Sequence, residues 1–270
     1  MPRNTDELIR ELFPSETITI DETLNRKISG NYCRNNHTAY QVGERKIIAK
    51  SYLGNSTWTN EALFYRTFAD FGLPVPAVYF SDSEHLVTEY IEHRKNPRLS
   101  QTIQDWASVH SQTIGFSNPS MPEHPFQPQV EGVASKMELL PEVSRRSLEI
   151  LSRRVPRQIK CLVHGDLYDN NIANNGIRNY YFDFEFSGIG HPAEDLSLLL
   201  FNNYHMAGEI MSQYKGVIGF DYPELEEDIM THLILRINRI IITLNSVKGI
   251  DGKEDLLRKS ESILEKLLGN

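Results

Sequence analysis

Residues 161–172 read Cys-Leu-Val-His-Gly-Asp-Leu-Tyr-Asp-Asn-Asn-Ile. An apolar run delivers a carboxylate, Asp166, and five residues later a neutral amide, Asn171. The turn signal Asn174-Asn-Gly follows, and the return strand Tyr180-Tyr-Phe delivers a second carboxylate, Asp183. A hairpin of that length can bring Asn171 and Asp183 side by side. One charged and one neutral oxygen ligand suit Mg²⁺, which keeps several waters and binds through one or two carboxylates plus substrate phosphates. Asp166, just off such a metal, is placed to orient a hydroxyl and accept its proton. His164 reads as a structural histidine of the loop and Asp169 as a solvated residue. Glu185 either adds an oxygen toward metal or substrate or continues the alternation of its strand.

The elements that must position these groups divide the chain in two. The first third is β-rich: Glu16 to Ile20 alternates as a short strand, and Lys27-Ile-Ser-Gly-Asn-Tyr, Thr38-Ala-Tyr-Gln-Val and Lys46-Ile-Ile-Ala-Lys read as strand, strand and strand around a polar loop and a Gly43-Glu-Arg turn. A helix is expected from about Thr59 to Asp70, with Ser56, Thr57 or Thr59 as N-cap and Gly72 as its stop. Two further strands, Ala77 to Phe80 and His85 to Tyr90, complete a small lobe. The polar stretch Glu92-His-Arg-Lys-Asn-Pro-Arg suits a linker. Beyond it the pattern is helical, apart from the β-island at 161–186 and a stretch from Gly115 to Gln129 whose four prolines read as loop. Three helices are expected near 192–214, 222–247 and 251–268. The division is therefore 1–91, a β-rich N-terminal lobe, and 92–270, a larger helical C-terminal lobe, in an α+β fold.

The 270 residues are enough to bury a core without disulfides or structural metal. Two cysteines at distant positions make no disulfide framework and no zinc signature, so a reducing, cytoplasmic setting is expected. Lys plus Arg is 28 and Asp plus Glu is 36, for a net charge of −8, a poor footprint for a nucleic-acid polymer. No run of about 18 apolar residues predicts a membrane span. The acidic balance is compatible with a cationic ligand, and more simply with solubility.

The spacing His-x-Asp-x-x-x-x-Asn, followed by Asp on a return strand, is a kinase catalytic arrangement. In detail it resembles the aminoglycoside phosphotransferase and choline kinase family. That family uses His-Gly-Asp-Leu-x-x-x-Asn and then Ile-Asp-Trp or Ile-Asp-Phe, where this chain has His164-Gly-Asp-Leu-Tyr-Asp-Asn-Asn and Phe182-Asp-Phe. Gly188-Ile-Gly-His-Pro-Ala-Glu-Asp-Leu resembles the family's next motif, Gly-x-Pro-x-x-Asp-Leu. The likeness runs from about Leu24 to Ser197. It implies a protein-kinase-like two-lobe fold, with Asp166 as catalytic base, Asn171 and Asp183 as metal ligands, and Asp195 bracing the catalytic loop beside His164. It also implies that Lys50 meets the nucleotide phosphates and is held by Glu61, the only glutamate between Lys50 and Glu84. The phosphate-covering loop is Ser29-Gly-Asn-Tyr-Cys-Arg-Asn-Asn, with a single glycine, Gly30, and with Arg34 as a possible supplement. The hinge is Thr88-Glu-Tyr-Ile, where backbone groups of Glu89 and Ile91 meet the base. The implied cofactors are ATP or GTP and Mg²⁺.

Only eight residues separate Asp183 from Pro192, which leaves no room for a phosphorylatable activation segment, and Gly165 replaces the arginine that would read one. A small-molecule kinase is expected over a protein kinase. Its acceptor is a small hydroxyl compound, cationic or polyhydroxylated, and the role is antibiotic inactivation or metabolic phosphorylation of choline, a sugar or a homoserine-like alcohol. A pseudokinase binding module would have lost Lys50 or the metal ligands. A metal-dependent hydrolase built on His164, Asp166, Asp183 and Glu185 would have no need of Lys50 or a hinge.

Overall fold

The computed structural model describes residues 4–28, 36–52, 61–154, 156–247 and 252–269. The chain opens with helix α1 (Thr5–Leu12), whose cap Asn4 accepts a hydrogen bond from the Asp6 N–H. Strand β1 (Ile18–Ile20) follows, then helix α2 (Glu22–Ile28), where a strand is expected from Lys27. Asp21 decides this difference: its side chain accepts from Leu24 N–H at 2.9 Å, an N-cap bond that a strand cannot use. Strands β2 (Asn36–Val42) and β3 (Arg45–Ser51) form a hairpin closed by Gly43, which takes φ +56° in a two-residue loop. Helix α3 (Glu61–Asp70) leads to β4 (Val78–Ser81) and β5 (His85–Glu89). The expected caps of α3, together with Gly30, Arg34 and the phosphate-covering loop, lie outside the described residues.

The five strands make one antiparallel sheet in the order β1-β2-β3-β5-β4. Strand alternation gives it two faces. Ile47, Ala49 and Val87 turn to one side, where Leu8 and Ile9 of α1 join them with Tyr40 and Val42 in a core cluster. Ile48 and Lys50, with their neighbours Leu86 and Thr88, turn to the other.

Helix α4 (Leu99–Gln112) starts the helical part, followed by α5 (Phe126–Ala134) and α6 (Glu142–Arg153). The expected proline-rich loop thus ends earlier than Gln129. Pro128 sits in the first turn of α5, where its missing N–H breaks no helical bond. Strand β6 (Cys161–Val163) precedes the hairpin of β7 (Ile172–Asn174) and β8 (Asn179–Tyr181), and β9 (Gly188–Gly190) returns to pair with β6. The single helix expected near 192–214 is two, α7 (Ala193–Asn202) and α8 (Ala207–Ile218). Asn203 makes the break: its backbone N–H and its side-chain amide both donate to the Leu199 carbonyl. Helices α9 (Leu225–Ser246) and α10 (Lys253–Leu267) end the chain. Among the described residues no helix is long and apolar enough to cross a membrane.

The chain folds as two units, 1–102 with 169–186, and 103–168 with 187–270. This differs from a linear division at 91/92 because the β7–β8 hairpin is tied to the β-rich unit. The Asn174 carbonyl accepts from Arg94 N–H at 2.8 Å, and Tyr181 N–H donates to the Pro74 carbonyl at 3.0 Å. Asn179, fully buried, accepts from Arg98 N–H at 3.1 Å and from Asn174 Nδ2 at 2.9 Å, and donates to the Arg98 carbonyl and Thr102 Oγ1. In the helical unit α7 is buried along nearly its whole length against α9. Asn179→Ala should cost about 2–3 kcal/mol, since several buried partners lose their bonds at once. Urea unfolding checks this against exposed Arg178→Ala, for which little change is expected.

Candidate active site

Lys50 is the centre of the site. Strand alternation turns it off the core face, yet it is only 4% exposed. Its Nζ donates to Glu61 Oε2 at 2.9 Å, Asp183 Oδ1 at 2.7 Å and Glu185 Oε2 at 3.3 Å. Burial opposes the ammonium charge, but the three carboxylates outweigh it and push the Lys50 pKa up. Lys50 therefore stays charged.

Glu61 opens α3 and is 2% exposed. One carboxylate oxygen accepts from Lys50 and from Tyr52 Oη at 2.9 Å, and the other accepts from Phe184 N–H at 3.1 Å. Burial drives its pKa up against the pull of Lys50. Tyr65, one turn further along α3, accepts from Asp183 N–H at 3.2 Å and packs edge-on against Phe184 at 4.7 Å between ring centroids. Phe68 meets the same ring at 4.8 Å. Tyr52 and Tyr65 do not enter the sequence reading, although the i, i+4 spacing of Glu61 and Tyr65 is a legible signal that they share a helix face.

Asp183 has φ +64°, the one left-handed non-glycine among the described residues. Aspartate is among the side chains that tolerate this region best, and the conformation persists because its neighbours hold it there. Asn171 stands one step beyond the Ile172–Tyr181 pair, and its carbonyl accepts from Phe182 N–H at 3.2 Å. The hairpin thus sets Asn171 across from Phe182, with Asp183 the next residue. Glu185 leaves strand alternation for a 3₁₀ turn, Phe184–Phe186, which directs it to Lys50.

Three carboxylates against one ammonium leave an excess of two negative charges around Lys50. Among the described residues there is no cage of three or more His, Cys, Asp and Glu side chains. Mg²⁺ needs none, since waters and phosphate oxygens complete its shell. A charged oxygen, a neighbouring amide and a local negative excess form a donor set that fits this ion.

A cavity of about 640 Å³ adjoins these groups, within the usual range for a small-molecule site. Ile48, Leu86, Ile172 and Phe182 give it apolar walls, and Lys50, Glu61 and Asp183 also line it. Glu89, Tyr90 and Ile91 lie along it. Glu89 N–H is committed to the Ala77 carbonyl at 2.8 Å, so a base edge at this residue would meet its carbonyl.

Asp166, His164 and Asp195 belong to the helical unit. Asp195 is fully buried, and its two oxygens accept from His164 N–H and Gly165 N–H, both at 2.9 Å. His110 Nε2 lies 3.2 Å from the same carboxylate. His164 is buried, with its Nδ1 accepting from Asp166 N–H at 3.3 Å, its carbonyl accepting from Ser187 Oγ, and Trp106 at 5.5 Å between ring centroids. Asp166 is half-buried and Asp169 exposed. Neither His110 nor Arg236, which donates to the Gly165 carbonyl at 2.8 Å, is marked by any sequence motif.

Residues 39–227 match the family profile described as the phosphotransferase enzyme family, and the chain belongs to that family. It is thus a phosphotransferase, of the kind that takes a hydroxyl group as acceptor. Comparison with curated proteins gives no match. Among solved structures, a choline/ethanolamine kinase family protein from Mesorhizobium loti is 16% identical, with 98% of this chain and 95% of that one covered at TM-score 0.65. A spectinomycin phosphotransferase in complex with ADP and spectinomycin is 14% identical over 100% and 99% at TM-score 0.67. A choline kinase from Streptococcus pneumoniae is 16% identical over 96% and 98% at TM-score 0.66. At such identities the likeness is one of fold: a small antiparallel sheet lobe and a helical lobe, protein-kinase-like.

Glu194, beside Asp195, is buried and accepts from His124 Nδ1 and Gln129 Nε2, each at 3.1 Å. Burial alone would raise its pKa; the hydrogen bond and charge of His124, with more distant cations, lower it to about 2. Its contribution to stability is complete above the ordinary glutamate pKa and is lost as pH falls from there through about 2. Glu194→Gln should remove about 3 kcal/mol of that pH dependence. Urea unfolding of both proteins between neutral and acid pH measures it; identical pH slopes would contradict the assignment.

Proposed function

We propose that this chain is an ATP-dependent small-molecule kinase, which moves the γ-phosphoryl group of a bound nucleotide to a hydroxyl of a small acceptor. The observation that carries the reading is the Lys50 ammonium held jointly by Glu61, Asp183 and Glu185. A buried lysine on a sheet strand, fixed by a helical glutamate and adjoining a carboxylate with a divalent-ion donor set, is what phosphate binding in kinases requires. The ADP bound in the spectinomycin phosphotransferase supports a nucleotide in the cavity.

In this reading Lys50 binds the nucleotide phosphates, with Glu61 fixing its direction. Asn171 and Asp183 would hold Mg²⁺, which would supply neutralisation of the phosphate charge. Glu89 and Ile91 meet the base through main-chain groups, and Gly30 belongs to the loop over the phosphates. Asp166 accepts a hydrogen bond from the acceptor hydroxyl and orients its oxygen for in-line attack. The new acceptor O–P bond forms as the bond from the γ-phosphorus to its bridging oxygen breaks, and the hydroxyl proton passes to Asp166. Asp195 holds the His164–Gly165 backbone from which Asp166 projects. The negative balance and the lack of a motif for nucleic acid or membrane fit a free metabolite or drug as acceptor, in the cytoplasm.

A coupled ATPase screen of hydroxyl compounds, with mass spectrometry for a phosphate adduct, tests the reaction. Transfer to protein serines with no small molecule accepted would overturn it. Asp166→Asn should lower turnover by about 10²–10⁴-fold with nucleotide affinity near wild type. Wild-type turnover in that variant would remove Asp166 from the chemistry. Asp183→Asn keeps a side chain that tolerates positive φ and removes the charge. It should abolish the Mg²⁺ dependence of ATP binding in calorimetry, while Asn171→Ala weakens it less.

A further inference from the structure

Three buried polar side chains from three helices meet at the loop that carries Asp166. His110 in the last turn of α4, Asp195 of α7 and Tyr214 of α8 are each fully buried. His110 Nδ1 lies 2.9 Å from Tyr214 Oη, and His110 Nε2 lies 3.2 Å from Asp195 Oδ2. That oxygen also accepts from His164 N–H, and the second oxygen accepts from Gly165 N–H, each at 2.9 Å. Among the described residues no lysine or arginine is in ion-pair contact with Asp195. Two main-chain amides and one imidazole orient its carboxylate.

The bond to Tyr214 decides which ring nitrogen of His110 carries the proton. Burial pushes the Tyr214 pKa well up, and Cys161, Tyr222 and Asp195 add to the rise, so the hydroxyl keeps its proton. Among the described residues its hydrogen-bond partner is His110 Nδ1 alone. The hydroxyl donates there, Nδ1 accepts, and the ring proton sits on Nε2, directed at Asp195. The opposite tautomer would strand a buried hydroxyl proton and set a nitrogen lone pair against a carboxylate, and both cost free energy. The end of α4 is itself fixed to the approach to the loop. Thr113 Oγ1 accepts from Leu162 N–H of β6 at 3.0 Å, and Trp106 meets His164 at 5.5 Å between ring centroids.

We propose that His110, with its proton placed by Tyr214, is a positioning residue for the transfer step. Its Nε2–H holds the Asp195 carboxylate in the orientation that serves both successive amides, and so fixes the backbone directly before Asp166. This rests on the kinase reading, in which Asp166 takes the proton of the acceptor. Without the Nε2 donor the carboxylate can turn about its Cβ–Cγ bond, and the His164 and Gly165 bonds loosen together. An error of about 1 Å in such a group is enough for a loss of about a hundredfold in rate.

Asparagine and glutamine separate the two sides of the ring. The Asn amide nitrogen reaches where Nδ1 stands, and the Gln amide nitrogen where Nε2 stands. With the acceptor that the hydroxyl-compound screen returns, His110→Asn should lower kcat by about 10–100-fold with KM for ATP within about twofold, and His110→Gln should recover most of the loss. Two readouts on the full chain need no acceptor. Amide hydrogen exchange at His164 and Gly165 should speed by about tenfold in His110→Asn and much less in His110→Gln, a ratio that one lost hydrogen bond supplies. Nitrogen-15 spectra of the unsubstituted protein should show His110 Nδ1 unprotonated and Nε2 protonated, and Tyr214→Phe should move the Nδ1 resonance. These spectra decide the matter even where His110→Asn fails to fold. The proposal is overturned if Nδ1 carries a proton, if Tyr214→Phe leaves its resonance in place, if the Asn and Gln variants behave alike, or if His110→Asn keeps full kcat. Absence of both phosphate transfer and Mg²⁺-dependent ATP binding would instead sink the kinase reading, whereas exchange and spectra report on His110 by themselves.

Discussion

One buried ammonium sets the terms for the β-rich unit. Taking the Lys50 charge out of water is unfavourable unless opposite charges meet it at close range. Three elements supply those charges: α3 brings Glu61, the residue after β8 and Phe182 is Asp183, and the 3₁₀ turn brings Glu185. Each carboxylate is fixed in turn. Glu61 is bonded to Tyr52 and to Phe184 N–H, and the Asp183 backbone is bonded to Tyr65. The aromatic rings of Tyr65, Phe68 and Phe184 bind α3 to the turn. The unusual backbone of Asp183 is held by the same contacts that place its carboxylate, and this pre-organisation suits a metal and phosphate site.

The helical unit solves a different problem with the same physics. Asp166 lies in a loop, and loops offer few backbone partners. Asp195 supplies them, with two carboxylate oxygens accepting from two successive N–H groups. Arg236 takes the Gly165 carbonyl from the other direction. A buried carboxylate and a guanidinium thus satisfy both polar groups of one glycine, which has φ +76°. The loop's shape is decided by side chains from α7 and α9, far from it in sequence.

Family membership and low identity fit together on this view. The groups proposed to hold phosphate, metal and base are few, and the contacts that fix them can be preserved while most of the chain changes.

The residue types and spacing at 164–171, Asp183 and 188–196 determined the family and the two-lobe α+β fold, and they nominated the candidate groups. Such motifs are legible because the chemistry demands certain atoms at short range along the chain. The Lys50–Glu61 pairing was legible only through the family likeness, since a strand-end lysine and a helix-first glutamate are ordinary on their own. Tertiary structure alone decided that Glu185 turns to Lys50, that Asp183 sits at positive φ, and that the β7–β8 hairpin belongs with the sheet. It also decided that α1 and α2 form, that Asn203 breaks a helix, and that Arg236 reaches the Gly165 carbonyl. These depend on where distant backbone carbonyls, amides and charges come to rest, which local periodicity does not encode.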